Sequence, residues 1–171
     1  MFLNIASQLS KSSLTGILPV DVQPNAVDIR IDRVFRFAAP GLFIIDEDSK
    51  THAEKIEVLP EADGYWTLFP GSYEVQMEGI VSIGANETGW VITRSTLNRN
   101  GVFITSGLYD SGYTGAMAGA MHITTVPMKI KRGTRIGQFV LAIAEALHAY
   151  DGSYGLNADG SAKADEQVYH K

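Results

Sequence analysis

The sequence predicts an all-β fold, a barrel or jelly-roll-like arrangement of short strands. Three observations carry this. Residues 26–37, AVDIRIDRVFRF, alternate apolar and polar side chains with a period of two. Short β-prone stretches at 65–69, 73–77, 80–83 and 90–93 follow one another at regular spacing, split by Pro70-Gly71 and by the loop 84–89. Residues 101–115, GVFITSGLYDSGYTG, run from an apolar strand into a Gly-rich turn.

Taken in order, residues 1–16 read as a short N-terminal helix, because Phe2, Ile5, Ala6 and Leu9 share one helical face and Gly16 can end it. Residues 17–22 are β-prone with Pro19, and Gln23-Pro24-Asn25 is a turn. The alternation that follows slips in phase near Arg33, the mark of a bulge. Asp28 and Arg30 on that strand belong either to a solvated face or to a site. Residues 38–63 are irregular and acidic, a surface excursion with one β-like piece at 42–45.

Residues 94–99, RSTLNR, place two guanidinium groups and two hydroxyls at a strand end. Ser95 and Thr96 suit the N-cap of a short helical turn, and arginine forks suit phosphate. Capped helix with surface arginines is the alternative. The central hairpin carries one carboxylate, Asp110, among Gly107, Gly112 and Gly115. Glycine is used where the backbone takes positive φ or approaches a ligand closely. Asp110 is then either a turn aspartate capping its own backbone or a general base aimed at a water. The strand AMAGA, 116–120, is small enough for another backbone to pack against it. After a basic turn at 131–135, the strand 136–143 buries Gln138, which must find backbone or ligand partners. Residues 149–171 are rich in Gly, Asp, Ser and Ala, with Tyr150, Tyr154 and Tyr169, and read as mobile unless something orders them.

With 171 residues, 45% hydrophobic and 19% charged, the chain suits one globular domain, placed at 1–155 with a flexible tail at 156–171. A net charge of −5 offers no broad basic field for nucleic acid. Cysteine is absent and the four histidines show no metal-ligand spacing, which excludes disulfides and thiolate zinc. No apolar run reaches a membrane span. The N-terminal residues lack a basic leader and a small-residue cleavage pattern, so a cytoplasmic protein is expected, in host cytoplasm if the source is viral.

Four strings in order, QPNAVDIRI, RSTLNRNGV, GLYDSGYTG and RGTRIGQFVL, resemble the motifs of the trimeric dUTPases and dCTP deaminases, over residues 20–154. The resemblance implies a distorted jelly-roll fold, a deoxynucleoside triphosphate substrate, Mg²⁺ and a homotrimer with sites shared between subunits. On the dUTPase pattern, Asp110 is the general base and Tyr113 stacks under deoxyribose. Gly107 lies in the uracil hairpin. Arg94, Ser95, Thr96 and Gln138 hold phosphates, with Arg99 added from the deaminase pattern. Asp28 supports the metal through water, and Tyr150 or Tyr154 covers the base. The deaminase glutamate falls at Ala120, which cannot move a proton. The expected activity is therefore dUTP hydrolysis to dUMP and pyrophosphate. A dCTP deaminase, a bifunctional deaminase/dUTPase and a non-catalytic nucleotide-binding homologue are the alternatives. Gly112 stands where the hairpin motif usually has a second Asp, and the tail AYDGSYG is closer to the deaminase type.

Overall fold

The computed structural model describes residues 1–166. Its strands are β1 (Phe2–Leu3), β2 (Ser13–Leu14), β3 (Val27–Phe37), β4 (Ile44–Ile45), β5 (Lys50–Thr51), β6 (Lys55–Glu57), β7 (Tyr65–Leu68), β8 (Gly71–Ser82), β9 (Glu87–Thr93), β10 (Val102–Ser106), β11 (Thr114–Ile123), β12 (Met128–Lys131) and β13 (Arg135–Ile143). One four-residue helix, α1 (Ser95–Asn98), and a 3₁₀ turn at Pro19–Asp21 are the helical pieces among the described residues. No helix there is long and apolar enough to cross a membrane.

Nine strands join one antiparallel sheet whose main path runs β1-β13-β3-β8-β11-β10, with β9 on β13, β6 on β3 and β2 on β8. The sheet curls until β9 and β10 meet, where Ser106 Oγ accepts from Val91 N–H and Thr93 Oγ1 donates to Ile104 O. Alternation explains the core. Val27, Ile29 and Ile31 of β3 point inward beside Val75 and Met77 of β8, Met117 and Met121 of β11, and Ile136, Phe139 and Leu141 of β13. Burying a side chain the size of Phe139 contributes roughly 2–3 kcal/mol. The register break between Ile31 and Arg33 falls where the sequence alternation slips.

The N-terminal helix is a correction: residues 1–16 are two short strands joined by turns. Leu3 and Ile5 are buried, whereas Phe2 and Leu9, two of the four residues of the expected helical face, are exposed. The segment is fastened by side chains instead. Glu87 accepts from Lys11 N–H at 2.9 Å, Ser12 N–H at 3.0 Å and Ser12 Oγ at 2.5 Å. Residues 150–166 fold back on the hairpin turn and the start of β11, through Tyr150 N–H to Ser111 O (2.8 Å) and Leu156 N–H to Thr114 O (2.6 Å). Tyr169 lies outside the described residues.

Candidate nucleotide site

The hairpin between β10 and β11 builds the first half of the site. Tyr113 N–H donates to Asp110 O at 3.0 Å, and Gly112 at φ +87° lets the chain reverse. Asp110 sits at the tip, exposed, and its carboxylate makes no hydrogen bond or ion pair among the described residues. Tyr113 is buried, and its hydroxyl donates to Ala116 O at 2.8 Å. Burial, and then the nearby Glu166 carboxylate, push its phenol above the ordinary range, so it stays a neutral donor. Gly115 permits this: a Cβ there would stand 2.6 Å from Tyr113 Oη and 2.7 Å from Gly155 Cα.

Beside the hairpin lies a cavity of about 320 Å³. Gly107 and Tyr113 line it, with Tyr150 and Tyr154 from the tail. The small strand 116–120 turns Ala116, Ala118, Gly119 and Ala120 to this cavity, which explains its composition. Asp110 is not among the lining residues; it stands outside, at the hairpin tip. Two carboxylates missed in the sequence line the cavity, Glu74 and Glu166. Glu74 lies directly opposite Ala120 in the β8–β11 pairing and is ion-paired with Lys55 at 2.6 Å. The pairing register, invisible in sequence, places it.

The second half is a polar cluster where β3, β9 and β13 adjoin. Asp28 is buried and accepts from Gln138 Nε2 at 3.1 Å, Arg135 Nη1 at 3.2 Å and Gln23 Nε2 at 3.4 Å, with Arg94 Nη2 ion-paired at 3.4 Å. Asp28 is thus no part of a solvated strand face. It aims two half-buried guanidiniums, a pattern suited to an anion. Arg135 was not singled out in the sequence, although it lies three residues before Gln138 on the same strand. Arg30 turns instead to Asp21 and Gly133 O, a structural role. Ser95, Thr96 and Arg99 are exposed around α1, next to this cluster in sequence. The N-cap of α1 is Arg94, without a side-chain cap bond, which corrects the expectation of Ser95 or Thr96 there.

Comparison with known proteins follows this geometry. A match to the family described as dCTP deaminase-like covers residues 4–144. The chain belongs to the dCTP deaminase-like family. Within it, the chain is 38% identical over 138 residues to a probable deoxyuridine 5'-triphosphate nucleotidohydrolase of Halobacterium salinarum, covering 78% of this chain and 82% of that protein. It is 31% identical over 138 residues to a "dCTP deaminase, dUMP-forming" of Methanoregula boonei, covering 78% of this chain and 75% of that one. Among solved structures, the 2'-deoxycytidine 5'-triphosphate deaminase of Agrobacterium tumefaciens superposes with a TM-score of 0.59 at 19% identity. That match covers 81% of this chain and 45% of the longer one, and it shows the shared fold.

Proposed function

We propose that this family member hydrolyses dUTP to dUMP and pyrophosphate. The carrying observation is the placement of carboxylates. Asp110 is exposed at the hairpin tip, outside the cavity, where an attacking water can be oriented toward phosphorus. Position 120, facing the cavity, is alanine. The relative named as a dUTP nucleotidohydrolase at 38% identity supports the same activity.

In this reading the base enters the cavity against the hairpin backbone and the tyrosines. The triphosphate meets Arg94, Arg135 and Gln138, with Ser95, Thr96 and Arg99 at the rim, and their charge favours the transition state. The cavity lining includes none of those six residues, so one chain presents two half-sites. That supports a homotrimer in which one copy supplies the hairpin and another the phosphate cluster. Exposed Phe2, Leu18, Val20, Ile92 and Phe103 give such an assembly apolar surface to cover.

No three His, Asp or Glu side chains group into a metal site among the described residues. Asp28 has its oxygens engaged by three hydrogen-bond donors and an ion pair. These residues do not fit a direct metal ligand set; a cation would arrive on the triphosphate oxygens.

Deamination of dCTP is the second reading, favoured by Glu74 and Glu166 on the cavity wall. Both are already engaged, Glu74 by Lys55 and Glu166 by two backbone N–H groups, which favours hydrolysis. The test is a panel of deoxynucleoside triphosphates assayed for pyrophosphate and for ammonia. Pyrophosphate from dUTP is expected; ammonia from dCTP without it overturns the reading. Asp110→Asn should cut turnover by about 10²–10⁴ with nucleotide affinity retained.

A further inference from the structure

The last described turn of the tail carries adjacent acids, Asp165 and Glu166, that face opposite partners. Glu166 is 1% exposed. Its Oε1 accepts from Ala116 N–H at 3.0 Å and its Oε2 from Gly155 N–H at 3.0 Å. Ala116 is the residue at which the β8–β11 register breaks, so the carboxylate docks on the irregular part of the cavity wall. Asp165 reaches the other way, to Lys50 Nζ at 2.5 Å, to His52 Nε2 at 3.3 Å and to the Ser153 hydroxyl. Between these fasteners the chain crosses β11 where glycine meets glycine. Gly155, at φ +89°, would place a Cβ 2.4 Å from Thr114 O. The segment held this way carries Tyr150 and Tyr154 into the cavity, with Tyr154 N–H donating to Tyr150 Oη at 3.2 Å and Lys50 Nζ 4.8 Å over the Tyr154 ring.

We propose that Glu166 is the positioning residue that holds this aromatic roof closed over the base cavity before any nucleotide arrives, with Asp165 as the outer fastener to the 38–63 excursion. A buried carboxylate is costly unless its oxygens are satisfied. Here backbone N–H groups from the wall and from the roof satisfy one oxygen each, and charge-assisted bonds to an ionised acceptor are the stronger kind. The roof is therefore preorganised by the chain's own contacts, and nucleotide does not bear the full cost of ordering it. The roof contacts act on the base, away from the reacting phosphorus, so their loss removes binding common to ground and transition states.

The kinetic part rests on the dUTP reading; the structural part does not. The test uses the full chain with Glu166→Gln, Glu166→Ala and Asp165→Asn, examined by limited proteolysis without nucleotide and by steady-state kinetics. Expected are protection of the 150–166 segment in the wild type and rapid cleavage there in Glu166→Ala. Glu166→Gln, which offers one acceptor where two are needed, should lie between them, and Asp165→Asn should show a smaller effect. With dUTP, Glu166→Ala should raise KM roughly tenfold or more with kcat within about threefold of wild type. Unchanged protection in both Glu166 variants, or a loss confined to kcat, overturns the proposal. If the wild type shows no dUTP turnover, the functional reading fails while the proteolysis still decides the clasp. Should Glu166→Ala not fold, Glu166→Gln carries both measurements.

Discussion

At the scale of residues, Asp28 is buried with Gln23, Arg135 and Gln138 donating to it and Arg94 ion-paired with it. Two guanidiniums and two carboxamides keep one direction because a single carboxylate fixes them. Asp28→Asn preserves volume and removes the charge. It should lower stability by about 1–2 kcal/mol in urea unfolding and raise KM for nucleotide, with Arg94 and Arg135 no longer aimed. Gly115 is a second such point. Gly115→Ala drives a methyl into Tyr113 Oη and Gly155, and a cost of about 1–3 kcal/mol is expected, together with weakened tail protection. Asp110, Tyr113, Gln138 and the tyrosines of the tail were legible in sequence because each sits in a recognisable string. Glu74, Glu87 and Glu166 were not, because a carboxylate's role here is set by a partner far away in the chain. Glu87 meets Ser12 across 75 positions, and Glu166 meets Ala116 across 50.

At the scale of elements, the N-terminal segment shows why a helical pattern failed. Four apolar residues at helical spacing were outweighed by one acid on β9 that takes donors from Ser10, Lys11 and Ser12. Once those N–H groups have Glu87, they need no helical carbonyl. Burial alone would push the Glu87 carboxyl up, but the Ser12, Lys11 and Ser10 donors outweigh it and hold the group below its ordinary 4.5. A depressed folded-state value means its stabilisation is complete well above the unfolded value and is lost as pH falls through the folded one. Wild-type Tm should therefore drop between about pH 5 and about pH 3, and Glu87→Gln should flatten that limb. At neutral pH the same variant should melt about 2–8 °C lower, measured by calorimetry. The strands, by contrast, were readable from alternation, since inward and outward positions on β3 differ in polarity wherever its register is unbroken.

At the scale of the whole molecule, the base cavity and the phosphate cluster share no lining side chain, so activity belongs to an assembly in the functional reading offered here. Subunit mixing tests it. Asp110→Asn and Arg94→Ala chains, each inactive alone, should regain activity when dissociated and reassembled together. Random exchange in a trimer leaves about one site in four with an intact hairpin and an intact cluster. No recovery would place both halves of each site on one chain. Strand order and pairing partners were beyond the sequence. β7 ends just before β8 begins, yet it pairs with β12, more than sixty positions away along the chain.

The pairing of Ala120 with Glu74 constrains what this pocket can become. Installing a glutamate at position 120 sets two like charges face to face on neighbouring strands, with Lys55 already paired to Glu74. Ala120→Glu alone should therefore be penalised in folding and silent in amine release, while the pair Ala120→Glu with Glu74→Gln should recover the lost stability. An acid at position 120 is thus tolerated only after a second change, and the order of the two matters: the resident acid has to go first.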